Sequence, residues 1–254
     1  MTPADRGLLT ACGHADDAGL GRACRAVNAG ADVSCEADGV RGSMMPLTLA
    51  ASGGSVRVCQ LLLQRGADVN RVLRGSGQTA LHAAAACSSS GRRAVTELLL
   101  SSGAQVDPAE RDQGATPLYV ACEIGHRDVA DLLLSAGAAI NRRTASAGKT
   151  SLFVACEYGE LAVAGLLLSH GADPNAAANN TCTCLIIACQ ASKADASVGE
   201  ALPAGLRGCV PASDHTLRTL ASMRRTHTLP LLDNARAGRL PGRCRAASVP
   251  PRQR

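Results

Sequence analysis

GATPLYVACEIGHRDVADLLLSAGAAIN, running from Gly114 to Asn141, reads as two short helices joined by a turn. Thr116 is placed to cap the first, because its hydroxyl can accept from an otherwise unpaired amide of the opening turn. Pro117 follows at the first helical position, where its missing N–H costs nothing. Gly125 and Gly137 each close an apolar run, as expected where a helix ends in a left-handed residue. Between them Ala130, Leu133 and Leu134 stand at i, i+3 and i+4, and so share one helix face. Helices this short are marginal alone in water. The stretch needs neighbours on both sides.

The chain supplies those neighbours as copies. The leucine after the Thr-Pro position recurs as Leu8, Leu47, Leu81, Leu118, Leu152 and Leu185, at spacings of 39, 34, 37, 34 and 33 residues. A leucine triplet recurs at 61–63, 98–100, 132–134 and 166–168. Each is followed three residues on by Gly66-Ala67, Gly103-Ala104, Gly137-Ala138 or Gly171-Ala172. A fixed period near 33 residues is the mark of a repeat array. Thr116-Pro117-Leu118, Thr79-Ala80-Leu81-His82 and Gly171-Ala172-Asp173-Pro174-Asn175 resemble the ankyrin repeat, over about residues 7–190. The resemblance implies an all-α solenoid of stacked helix-turn-helix repeats with hairpin-like finger loops. Its repeats fall near 7–32, 42–70, 77–107, 114–141 and 148–175, with a partial one at 181–190, in a domain spanning 1–190.

Composition agrees with a thin core. One Phe, two Tyr and no Trp in 254 residues are too few aromatics for a globular core of this size, but they suit a solenoid built from Leu, Ala and Val. Twelve cysteines are spread along the chain, and the opening Met1-Thr2-Pro3-Ala4-Asp5-Arg6 has neither a basic start nor an apolar run. A reducing compartment, cytosol or nucleus, is the expectation. No stretch approaches the roughly 18 apolar residues of a membrane span. Residues 1–189 carry 15 Lys and Arg against 17 Asp and Glu, whereas 190–254 carry 11 against 4, so the net charge of +5 resides in the tail.

Along the chain, 7–32 reads as a degenerate terminal repeat without Thr-Pro or a leucine triplet. Met45-Pro46-Leu47 replaces the capping Thr of the second repeat, so that helix should fray. Cys87-Ser88-Ser89-Ser90-Gly91 adds three residues to the third repeat and reads as a longer solvated turn. From Ala191 the composition shifts to Ala, Arg, Pro and Gly, predicting a mostly disordered tail over 191–254. Ser213 or Asp214 could cap a helix there, with Leu217 and Leu220 on one face.

Cys12, Cys122, Cys156 and Cys189 occupy one register position, four after the marker leucine, and Ala51 and Ala85 fill it elsewhere. Cysteine there acts as a small buried hydrophobe. Neighbouring copies about 10 Å apart are too distant for a disulfide. Cys182-Thr183-Cys184 with Cys189 supplies three thiols, where structural zinc takes four ligands. Gly75-Ser76-Gly77 resembles a fragment of a phosphate loop but lacks the glycines and lysine that would follow. His82, His126 and His170 sit at repeat positions. No catalytic site, cofactor site or metal site assembles.

The resemblance implies a non-enzymatic scaffold or adaptor that binds a partner protein on a concave surface of finger turns and first helices. Carried onto this sequence, the finger-tip candidates are Ser76, Gln78, Asp112, Gln113, Ser146 and Lys149. The pairs before the mid-repeat glycines add Glu123, Ile124, Glu157 and Tyr158. Tyr119 and Phe153, one after the marker leucine, read as packing between repeats. Arg71, Arg74, Arg111, Arg142 and Arg143 read as solubilising; with no aromatic partners they make a poor nucleic-acid surface. Nucleic acid bound by the basic tail is one alternative. A ubiquitin-ligase substrate receptor is another, because Thr216-Leu217-Arg218-Thr219-Leu220-Ala221 distantly resembles the start of a SOCS box. It departs from that pattern at Ala221 and Arg225.

Overall fold

The computed structural model describes residues 1–12, 17–39, 42–179 and Cys184, all within one compact unit, Met1–Cys209. Five helix pairs follow in order: α1 (Pro3–Cys12) with α2 (Asp17–Asn28), α3 (Pro46–Gly53) with α4 (Val56–Gln64), and α5 (Ala80–Ala85) with α6 (Arg92–Ser101). Then come α7 (Pro117–Ile124) with α8 (Arg127–Ser135), and α9 (Ser151–Tyr158) with α10 (Leu161–Ser169). Each first helix packs on the next first helix and each second helix on the next second helix, giving two layers. A short antiparallel ribbon, β1 (Ala37–Gly39) and β2 (Gly42–Met44), joins the first two pairs, with Ala37 opposite Met44. The core lies between the layers, where Leu8, Leu62, Leu81, Leu99, Leu118, Leu133, Leu152 and Leu167 are fully buried. The partial repeat at 181–190, apart from Cys184, lies outside the described residues. So do Cys189 and the whole tail, with its candidate helix and SOCS-like segment.

The helix starts are set by short polar side chains. Thr116 accepts from the Tyr119 amide at 3.3 Å and Thr150 from that of Phe153 at 3.2 Å. Two expectations change here. The first repeat does own a Thr-Pro: Thr2 accepts from the Asp5 amide at 3.1 Å and Asp5 accepts from the Thr2 amide at 2.6 Å, a reciprocal cap ahead of Pro3. It starts α1 a turn early, which is why its spacing from Leu8 disguised it. The start of α3 is tied as well, by Thr48, whose hydroxyl accepts from Met45 N–H at 3.2 Å and donates to Met45 C=O at 2.8 Å.

The inserted turn of the third repeat is only partly solvated. Ser88 and Ser90 are exposed, but Cys87 is buried and its sulfur lies 3.1 Å from the Ser89 hydroxyl. A side chain on Gly91 would overlap the carbonyl of Gly54, the residue that ends α3. The insertion therefore clamps repeat 3 to repeat 2, and its Ser-Gly composition reflects close approach as much as exposure.

The cysteine column is a packing column, as its register implies. Cys12, Ala51, Ala85, Cys122 and Cys156 are all buried. All eight described cysteines are free thiols. Burial raises the Cys12, Cys59 and Cys156 thiols to about 12 and Cys35 to about 11, and pushes Cys122 higher still.

Adjacent repeats are also stitched by polar side chains that close each unit. The Asn70 amide donates to Gly103 C=O at 3.0 Å and accepts from the Gln105 amide at 2.7 Å. Asn141 accepts from the Asp173 amide at 2.8 Å. Asp107 holds the same place one repeat on from Asn70 and accepts from the Ala139 amide at 2.8 Å. An ionised carboxylate has no proton to donate, and Asp107 Oδ1 is buried with no partner among the described residues. Asp107→Asn would supply the missing donor and is expected to add about 1 kcal/mol, raising the thermal midpoint by about 2–4 °C. A midpoint at or below that of the wild type would show that Oδ1 already has a donor in solution.

Candidate functional site

The fingers are set by backbone. Each closes on a glycine of positive φ: Gly77 at 73°, Gly114 at 73° and Gly148 at 64°. Rungs then join one finger to the next, from Arg111 N–H to Ser76 C=O at 2.9 Å, from Ala145 N–H to Gln113 C=O at 2.8 Å and from Asn179 N–H to Ala147 C=O at 2.9 Å. A Cβ on Gly114 would stand 2.8 Å from the Ala145 nitrogen. Only glycine permits the fingers to come this close.

The finger arginines correct the solubilising reading. Arg111 Nη1 donates to Arg74 C=O at 2.6 Å, and Arg142 Nη1 to Asp107 C=O at 3.2 Å. Arg143 Nε donates to Gly148 C=O at 3.0 Å, and Arg74 pairs with Glu36 at 3.2 Å. Arg74, Arg111 and Arg142 bind finger to finger, as does Arg143 through its Nη2 to Asn179 Oδ1 at 3.2 Å, and the face they would otherwise offer to a polyanion is partly spent on this.

The candidate partner-binding residues fall into two groups. Asp112, Gln113 and Ser146 are exposed at the tips, with Ser76 half-buried among them. Gln78 turns inward, donating its amide to Glu110 at 3.1 Å. The other group lies at the ends of α7 and α9. Ile124 is 42% exposed and Tyr158 is 58% exposed, so both are large apolar side chains held in water. Glu123 is half-buried and Glu157 exposed. Lys149 joins this second group: its ammonium lies 2.5 Å from Glu157 Oε2 and 5.3 Å above the Phe153 ring.

Beneath them is Tyr119, which a reading by register assigns to packing. It is buried, and Phe153 beside it in the next repeat is buried too. The Tyr119 phenol is pushed well above its ordinary value, first by burial, then by the negative charge of Glu123 and Glu157, with Tyr158 and Glu110 adding to it. It stays protonated at neutral pH, under a cluster of carboxylates. The hydroxyl that distinguishes Tyr119 from Phe153 was the available signal. A second missed feature is the rank Leu49, Ala83 and Val120, one per repeat on the first helices, all partly exposed.

His82 and His126 are structural. His82 Nδ1 lies 3.2 Å from the Thr79 amide and its Nε2 3.1 Å from Ala115 C=O, a pairing that fits a neutral ring donating to the next finger. Burial lowers its pKa accordingly. His126 Nδ1 lies 2.9 Å from Ala85 C=O of the preceding repeat. Among the described residues no three His, Cys, Asp or Glu side chains are grouped to hold a metal ion, and no described helix is long and apolar enough to cross a membrane.

A family model described as ankyrin repeats (3 copies) matches residues 18–112 and, overlapping it, 86–178. Comparison with curated proteins gives no match.

Proposed function

The chain belongs to the ankyrin-repeat family, and we propose that it is a scaffold or adaptor that holds a partner protein on its first helices and fingers. The repeats are not catalytic modules, and the fold is generically one for protein–protein interaction. What carries the reading to this face is one observation: Ile124 and Tyr158 are exposed side by side at matching ends of α7 and α9. Tyrosine is a favoured interface anchor of low entropy cost, and more than half of the Tyr158 surface is open to a partner. Glu123 and Glu157 flank the pair. Ser76, Asp112, Gln113 and Ser146 form the rim along the fingers, with Gln78 turned in behind them onto Glu110 and Lys149 beside Glu157. Cytosol or nucleus is part of the same proposal, supported by the free thiols.

Affinity capture with the full chain, followed by crosslink mapping, tests it. Crosslinks should fall on residues 120–124, 149–158 and the finger tips. In titration calorimetry with the captured partner, Tyr158→Ala should weaken binding by about 2 kcal/mol. Its melting temperature should hardly move, because an exposed side chain contributes about 0.5 kcal/mol or less to stability. Crosslinks confined to the second-helix layer, with Tyr158→Ala binding normally, would move the site to the other face.

A further inference from the structure

The partner-binding face is graded along the stack. In repeats 2 and 3 it offers Leu49, Ser52, Ala83 and Ala86, all uncharged and mostly small. In repeats 4 and 5 the positions equivalent to Ser52 and Ala86 become Glu123 and Glu157, and Ile124 and Tyr158 rise beside them. The finger adds Glu110. Two of the three carboxylates are already engaged, Glu157 by Lys149 and Glu110 by the Gln78 amide. Glu123 has no cation or hydrogen-bond donor among the described residues. A shallow apolar trough thus runs into an acidic and aromatic end that is one cation short.

The geometry points to a partner that is an amphipathic α-helix, lying along the trough with an arginine at the end over repeats 4 and 5. This rests on the reading that the first-helix face binds a protein. Helix, rather than extended peptide, follows from the floor: its backbone groups are consumed inside α3, α5, α7 and α9, so no strand edge is on offer. A helix satisfies its own backbone and needs only side-chain contacts. Packed helices lie about 10 Å apart and a helix rises about 1.5 Å per residue. One repeat is therefore crossed in about seven partner residues. Apolar side chains at i, i+7 and i+14, which share a helix face, would meet Leu49, Ala83 and Val120 in turn. The arginine, within two turns of the last, would reach Glu123 and lie against the Tyr158 ring, where a guanidinium gains from both charge and ring face. Tyr119, protonated below, adds no charge of its own.

The test uses the full chain as bait for a displayed library of alanine-rich helical peptides randomised along one face. Enriched peptides should carry apolar residues seven apart and an arginine towards one end. The best of them, made synthetically, should bind Tyr158→Ala at least 10-fold more weakly, with Tyr158→Phe restoring affinity. Replacing its arginine by citrulline should cost about 5-fold. That loss should shrink to about 2-fold in Glu123→Gln, because the ion pair is then already broken and only the ring contact remains. Enriched peptides that are acidic or extended, or a citrulline peptide that binds as tightly, would overturn the inference. Helices that crosslink to this face without needing arginine would do the same while leaving the scaffold reading intact. Crosslinks confined to the second-helix layer would remove both.

Discussion

Raised from pH 7.5 to pH 10 in the presence of reductant, the protein is expected to lose most of its stability. Cys12, Cys59 and Cys156 are held at about 12, Cys35 at about 11, and Cys122 above them, all through burial. In the unfolded chain the same thiols ionise near their ordinary value of 9.0. The folded pKa lies above the unfolded one, so the stabilisation is complete below pH 9. It is lost as pH rises from 9 towards 12, because only the unfolded chain releases protons there. At pH 10 each deeply buried thiol accounts for about 1 kcal/mol, and together they reach several kcal/mol, comparable with the 5–15 kcal/mol that holds an ordinary domain. Thermal melts followed by circular dichroism at both pH values would show it. A triple variant, Cys12→Ala, Cys122→Ala and Cys156→Ala, supplies the control, since Ala51 and Ala85 already fill that column. It should retain about 3 kcal/mol more than wild type at pH 10 relative to pH 7.5. If both proteins lose stability equally, the thiols are not the cause.

The second large effect is steric. Gly114→Ala should cost about 3 kcal/mol or more. Part of this is the left-handed backbone, φ 73°, worth about 1–2 kcal/mol for a residue with a Cβ. The rest comes from the neighbouring finger, because the new Cβ would sit 2.8 Å from the Ala145 nitrogen and 2.9 Å from its Cβ. Relief requires the fingers to part and the Ala145-to-Gln113 bond at 2.8 Å to break. Gly103→Ala separates the two contributions. Its φ is 86°, but nothing lies within 4 Å of the added atom. It should cost only about 1–2 kcal/mol. Denaturant melts giving the same loss for both variants would show that finger contact contributes nothing.

The sequence was most legible where one residue decides one local geometry. Thr116, Pro117 and Gly125 announced a helix start and stop, and the structure has α7 between them. The marker leucines named the core without a long-range contact being known. The misreadings of the fingers and of the inserted turn share a cause: each involved a partner one repeat away. Arg111 and Arg142 looked like solvated charge because their acceptors, Arg74 C=O and Asp107 C=O, stand 37 and 35 residues distant. Ser-Gly composition at 88–91 suggested exposure, and only the Gly54 carbonyl shows why Gly91 has no side chain. Of the candidate partner surface, the exposed pair at 124 and 158 was visible from register. Tyr119 packs beneath it as its register implies, but the carboxylates gathered over its hydroxyl were not visible, since register alone treats it like Phe153.

The stitches between repeats have a consequence for how the chain comes to be folded. Among the described residues, the side-chain bonds between repeats reach back no further than the preceding unit, at 32 residues for Asp107 with Ala139 and 41 for Ala85 with His126. Nothing in that network waits for a distant segment to arrive. A chain emerging from the ribosome can close each unit once about one further unit has been synthesised, and such local topologies fold fast. Growth by addition onto a formed edge also implies an order of loss. Under mechanical tension or dilute denaturant, units would peel from an end in steps of some 33 residues.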